Sequence, residues 1–196
     1  MATYVPQLTA YSPDNVYTDY RYTSHQGNYF NMPNCVRYAY GRWWCILGYQ
    51  PTGLGFLGNA EEWFANCTAF TKVPAGDPNC VPKLGAIACF ADGPYTGWGH
   101  VAVVEQIFSN GTVKFSEAAY PSGPWHRLVS GNSSNNWGYS WAYRFQGFIY
   151  LPDSYDPPDS GPDPPPDPDP DPHPQPPYNP FGLKKPLWFY CKKRPF

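Results

Sequence analysis

Between residues 152 and 180 the chain carries fourteen prolines and seven aspartates, with no lysine or arginine. Proline has no backbone N–H to give to a helix or a strand ladder, and the interleaved aspartates repel one another. A run such as Pro-Pro-Asp-Pro-Asp-Pro-Asp-Pro cannot build a core. It predicts an extended polyproline-II spacer, reaching on the order of 90 Å at ~3.1 Å per residue. The run therefore divides the 196 residues into three parts. Residues 1–151 are the part able to fold, and their number suits one domain. Residues 181–196 are too few to fold alone. With Trp188, Phe189, Tyr190 and the cluster Lys192-Lys193-Arg194, they read as an anchor peptide for an anionic surface or a protein groove, or as a disordered basic end.

Charge follows the same division. Residues 1–151 hold eight Lys/Arg and eight Asp/Glu, the spacer is acidic, and residues 181–196 hold five Lys/Arg and no acid. A net charge of -2 gives no general case for nucleic acid. No run is apolar enough to span a bilayer. Met1-Ala2-Thr3-Tyr4-Val5-Pro6 lacks the basic-then-apolar pattern of a secretory signal, which predicts synthesis in a cytoplasm and reduced thiols. The cysteines at 35, 45, 67, 80, 89 and 191 form no paired C-x-x-C motif, and there are four histidines. No structural zinc and no cofactor is expected. Cys67 and Cys80 flank a Pro/Gly loop and could pair in an oxidising compartment. Aromatics make up 19% of the chain, so most must fill a strand-rich core, leaving a few to line a cleft.

The first strong periodic signal begins at Cys35. Val36, Ala39, Tyr40, Trp43 and Leu47 fall at helical spacing, Asn34 stands at the cap position and Gly48 closes the run. A second helix is predicted from Asn59, with Glu62 completing a capping-box pattern, so Glu61 and Glu62 read as helix-start charges. Residues 74–82 read as loop. Strand-like runs follow at 86–90, 101–108, 112–119, 139–145 and 147–151. Helices first and an antiparallel sheet afterwards predict an α+β fold.

Three residues stand out chemically. Cys35 opens the helix, where free N–H groups and the dipole favour an anion. It reads as a nucleophile, with Asn34 and the first N–H groups as the oxyanion site. Cys45, Cys67 and Cys89 lack that context and read as small buried hydrophobes. His100 would take the thiol proton, and Glu117 would orient the ring by accepting its other N–H. Nothing local singles out His25, His126 or His173. The hairpin arithmetic sets a condition. A two-residue turn at Asn110-Gly111 pairs Val104 with Glu117 and leaves His100 roughly 13 Å away. Pairing Ala102 with Glu117 instead makes His100 a diagonal neighbour, within side-chain reach. A longer loop or a bulge is therefore predicted.

These residues resemble the CHAP family, cysteine- and histidine-dependent amidohydrolases and peptidases with a papain-like core. The resemblance runs from about residue 29 to 151. It rests on Asn34-Cys35-Val36-Arg37-Tyr38-Ala39-Tyr40-Gly41-Arg42, Gly58-Asn59-Ala60-Glu61-Glu62-Trp63, Pro82-Lys83-Leu84-Gly85-Ala86-Ile87, Gly99-His100-Val101-Ala102-Val103-Val104-Glu105, Ser116-Glu117 and Gln146-Gly147-Phe148-Ile149-Tyr150-Leu151. It implies cleavage of peptidoglycan, with Cys35 as nucleophile, His100 as base and Glu117 as orienter. Where many members have Asn, two residues after the Glu, this chain has Ala119, so the resemblance supports a triad. Residues 23–34 contain no Asp or Glu, so the calcium loop of some members is not expected. Specificity would lie in loops around Tyr95, Trp98 and Trp125.

The resemblance and the sequence together suggest a phage endolysin, held in the host cytoplasm until lysis. Alternatives are a virion-associated lysin, tethered to a phage tail protein through residues 181–196, and a non-catalytic wall-binding module. In each case the implied partner is peptidoglycan, with anionic wall polymers as a second partner of the basic end.

Overall fold

The computed structural model describes residues 4–8, 34–54, 58–92, 97–118, 127–139 and 143–152. The chain divides between Asp163 and Pro164 into two units, and every described residue belongs to the first. The expected spacer and basic end at 152–180 and 181–196 lie, apart from Pro152, outside the described residues.

Helix α1 spans Cys35–Leu47. Asn34 caps it, its side chain accepting the N–H groups of Val36 at 2.8 Å and Arg37 at 3.4 Å. Gly48 ends it in the left-handed region at φ 74, returning its N–H to Trp44, a conformation that favours glycine. The buried face is Val36, Ala39, Tyr40, Trp43 and Ile46. Leu47, expected in that stripe, packs only at its edge. The second predicted helix is shorter than its pattern suggested. It is a 3-10 turn, Ala60–Glu62, running into a single turn α2, Trp63–Asn66, with the Glu62 carboxylate accepting the Asn59 N–H at 3.0 Å.

Six strands follow: β1 Lys72–Pro74, β2 Ile87–Asp92, β3 His100–Ile107, β4 Val113–Glu117, β5 Arg127–Gly131 and β6 Tyr143–Ile149. They form one sheet in the order β1-β6-β2-β3-β4-β5, antiparallel at every pairing. The architecture is α+β. Strand β1 falls in a stretch partly read as loop, and it ends on Pro74 at the sheet edge, where a missing N–H is tolerated. The two predicted strands at the C-terminal end are one strand, β6, kinked where Cys89 pairs with Gly147 but Phe90 pairs with Phe145.

Both faces of the sheet are covered, which is why β2 and β3 read as unbroken apolar runs rather than alternating ones. Ile87, Cys89, Val101, Val103 and Ile149 pack against Val36, Ala39, Tyr40 and Trp43 of α1. Ala88, Phe90, Ala102, Val104, Phe115 and Phe148 form the other layer with Trp137 and Tyr139. The aromatic surplus is thus used mostly in the core. Cys67 and Cys80 are free thiols, with sulfurs directed at the carbonyls of Phe70 and Val73.

The β3–β4 hairpin departs from the simplest turn in two ways. Phe108 donates to Thr112 O, and Gly111 donates back to Phe108 O. The loop is therefore Ser109-Asn110-Gly111, with Gly111 left-handed at φ 81. Ile107 then pairs with Val113 and Gln106 with Lys114, but the next pairs are Val104 with Phe115 and Val103 with Ser116. Glu105 is the extra residue, a β-bulge. One further step sets Ala102 opposite Glu117.

Candidate active site

That register makes His100 the diagonal neighbour of Glu117, and the two side chains meet. His100 Nε2 lies 2.5 Å from Glu117 Oε2, and both residues are buried. With Nε2 so engaged, Nδ1 is the ring nitrogen left for Cys35, which lies near enough to help raise the His100 pKa. Local backbone enforces the approach. Gly99 sits at φ 65, and a Cβ there would stand 2.4 Å from Phe90 O and 2.5 Å from Glu61 N. Asp92 accepts the N–H groups of Trp98 and Gly99 at 2.8 and 3.1 Å, and Glu61 donates its own to Trp98 O. The entry into β3 is thereby held against both β2 and the 3-10 turn.

Asn34 and Cys35 occupy the start of α1. The Asn34 carbonyl oxygen must face the Val36 and Arg37 donors, so the cap has already taken two of the N–H groups that the sequence offered to an oxyanion. What remains there is the Cys35 N–H and the Asn34 amide Nδ2. Of the three aromatics assigned to substrate, Trp98 is half-buried at the turn before His100. Tyr95 and Trp125 lie outside the described residues, as do Ala119 and nearly all of 23–34.

Sequence reasoning missed two partners of Glu117. Tyr139 donates to Oε2 at 2.5 Å, and Arg127 donates from Nε to Oε1 at 2.7 Å, with its Nη2 on the same oxygen. Neither carries a local motif. Arg127 opens β5 directly opposite Glu117. Tyr139 is delivered by the 3-10 segment Ser133–Gly138, in which Asn136, Trp137 and Gly138 are all left-handed, at φ 53, 60 and 83. That conformation is strained for a tryptophan. It is held by burial of the Trp137 ring against Phe115, Phe145 and Phe148, and by Asn136 Nδ2 donating to the carbonyls of Tyr139 and Tyr143. The rings of Phe90, Tyr139 and Tyr143 surround His100 at 6.3, 5.1 and 5.5 Å between centroids.

The electrostatics follow from this enclosure. Burial pushes the His100 imidazolium down, but the Glu117 carboxylate foremost, then Cys35, override it and raise its pKa to about 10. Burial likewise pushes Glu117 up, but His100 first and then Arg127 and Tyr139 hold it at about 2. Both groups are charged over the neutral range. Burial, then the neighbouring anions, keeps the Tyr139 and Tyr143 hydroxyls protonated. Among the described residues, no group of three or more His, Cys, Asp or Glu could hold a metal ion, and no helix is long and apolar enough to cross a membrane.

A thiol at a helix start, a histidine beside it and a buried carboxylate behind the histidine now stand together. Residues 25–119 match the model of the CHAP domain. The chain carries a CHAP domain. Two relatives are similar to about half of the chain. One is a protein of Staphylococcus aureus described as a probable autolysin LDP, 40% identical over 98 residues, covering 50% of this chain and 31% of that one. The other is the staphylococcal secretory antigen ssaA2 of the same species, 37% identical over 103 residues, covering 53% of this chain and 33% of that one. The chain thus spans about a third of the length of the curated relatives it matches.

Proposed function

We propose that this CHAP domain hydrolyses an amide bond of peptidoglycan through a Cys35 thiolate. The observation that carries the reading is the His100–Glu117 pair beside the helix-start cysteine, in a domain shared with a probable autolysin. The arrangement is of the papain-like kind: nucleophile on a helix N-terminus, base on the first strand of a hairpin, orienter on the second.

In the first half-reaction Cys35 Sγ attacks the amide carbonyl carbon, its proton having passed to His100. The oxyanion forms against the Cys35 N–H and the Asn34 Nδ2, which the cap bond to Oδ1 leaves facing away from the helix. His100 protonates the departing amine, the C–N bond breaks and a thioester remains. Water then attacks the thioester carbon, giving a proton to His100. The C–S bond breaks, and the acid product leaves as the thiol is restored. Glu117 keeps Nε2–H directed away from the reaction, so that the other nitrogen does the proton transfer. Trp98, together with Tyr95 and Trp125, is assigned to substrate binding.

The finer assignments are amidase between muramic acid and L-alanine, or endopeptidase in the stem or cross-bridge. Product analysis for free lactyl groups against new N-termini separates them. We assign the chain to a phage endolysin acting from the host cytoplasm, with 152–180 as linker and 181–196 as a tail for wall polymers. These assignments rest on the sequence alone, and mass spectrometry of purified virions distinguishes this source from a virion-borne lysin. The central test is turbidity loss of purified peptidoglycan. Cys35→Ala is expected to slow it by about 10⁴-fold or more with the fold unchanged by circular dichroism. Equal clearing by the two proteins would refute the nucleophile.

A further inference from the structure

Glu105 is fully buried, yet it belongs to neither partner of the site. Its carboxylate accepts five donors on the α1 side of the sheet. Arg42 Nε and Ser116 Oγ reach Oε1 at 2.8 and 2.6 Å. Arg42 Nη2, the Tyr4 hydroxyl and the Gln7 N–H reach Oε2 at 2.8, 2.5 and 2.8 Å. Arg42 also donates to Val5 O, so the segment 4–8 is drawn onto the same cluster. Glu105 is, moreover, the residue that the β3–β4 ladder skips.

These two facts explain each other. With the Ser109-Asn110-Gly111 loop alone, the ladder would continue by placing Glu105 opposite Phe115, Val104 opposite Ser116 and Val103 opposite Glu117. Side chains alternate faces along a strand, so a one-residue shift carries each to the opposite face. His100, three residues from Val103, would then stand on the face opposite Glu117, and no rotamer could join them. In that same slipped register the Glu105 carboxylate would face the layer of Phe115, Phe148 and Trp137. A lone carboxylate in such a layer loses its hydration with no donor to replace it, a heavy penalty. The Arg42 cluster on the other face removes that penalty, provided Glu105 stays out of the ladder.

We propose that the Arg42–Glu105 pair is a register lock, and that Glu105 and Arg42 are positioning residues for the His100–Glu117 pair. By holding Glu105 on the α1 face, the lock makes the bulge, and the bulge puts His100 and Glu117 on one face. Because Arg42 lies on the same helix as Cys35, the lock also ties the nucleophile's helix to the strand of its base. Its catalytic meaning rests on the function proposed above; its structural content does not.

The test uses Glu105→Val and a variant lacking residue 105, each as full chain, with isotope-labelled NMR as the main readout. In the native register the cross-strand contacts join Val103 to Ser116. Glu105→Val has no anchor and suits a strand, so its contacts are expected to move to Val104 with Ser116. His100 titration should then fall from about 10 toward its ordinary 6.5, and wall clearing should slow about 100-fold, as for a misplaced catalytic group. The deletion variant has nothing to exclude, so it is expected to keep Val103 against Ser116 and the raised His100 titration. If Glu105→Val does not fold, the deletion decides the matter, and a register shift there overturns the proposal. Glu105→Val retaining Val103 against Ser116 and an unchanged His100 titration would also overturn it. A native protein with these NMR features and no wall hydrolysis would sink the proposed function and leave the lock standing.

Discussion

Two carboxylates on one hairpin, Glu105 and Glu117, are both completely buried, and an arginine is bound to each. Their surroundings nonetheless differ in kind. Glu105 is closed in by Arg42, with a side chain only 5% exposed, and by donors that are themselves tied to backbone or core. Glu117 is held by Arg127, 34% exposed, and by His100, 9% exposed. One cluster is sealed and its partners are all fixed donors. The other ends in a titratable ring whose far side reaches Cys35. Buried charge therefore serves geometry on one face of the sheet and, in our reading, proton transfer on the other.

The comparison breaks first at Glu117. Glu117→Gln removes the charge that keeps His100 an imidazolium and offers an amide that donates as readily as it accepts. Initial clearing rates are expected to fall by about 10⁴-fold, the scale on which an orienting carboxylate's amide replacement acts. Thermal stability should change far less, because Arg127 is open to water and His100 can lose its proton. A variant that clears wall material within tenfold of the native rate would remove Glu117 from the proposed mechanism.

Arg42→Met should show the inverse profile. It leaves Glu105 buried without its main counter-charge, and breaking a buried pair costs about 3–5 kcal/mol. Denaturant unfolding monitored by tryptophan fluorescence measures this directly. A loss under about 1 kcal/mol, the scale of an exposed pair, would mean that Tyr4, Gln7 and Ser116 alone satisfy Glu105, and that the sealed cluster is not sealed by charge.

The contrast also explains what could be read in advance. Helix α1 was legible because its cap, its stripe and its terminal glycine are local, and each agrees with the others. The His100–Glu117 meeting was legible only as a condition, since parity allowed it and the plain turn did not. What resolves the condition is Arg42, which lies 63 positions from Glu105; a chain read locally shows an arginine in a helix and a glutamate in a strand. Arg127 and Tyr139 were missed for the same reason. Residues 127–131 are too short and mixed to announce a strand, and the left-handed backbone at Trp137 breaks the usual sequence rule for that conformation. The short strand β1 depends on β6 beside it rather than on its own residues.

The smallest effect is also the one that separates the two clusters without mutating either arginine. The Glu117 pKa lies below its ordinary 4.5, at about 2, so its stabilising share is whole above about 4.5 and is lost as pH falls through about 2. His100 lies above its ordinary 6.5, at about 10, so its share is whole below about 6.5 and is lost as pH rises through about 10. Both shares are therefore complete only between about 4.5 and 6.5. The stability difference between the native chain and His100→Ala should be largest in that window and shrink steadily toward pH 10, as urea unfolding at intervals of pH will measure. A difference that stays flat from pH 5 to 10 would mean that His100 is not held as an imidazolium by Glu117, and the two buried carboxylates would then differ in exposure alone.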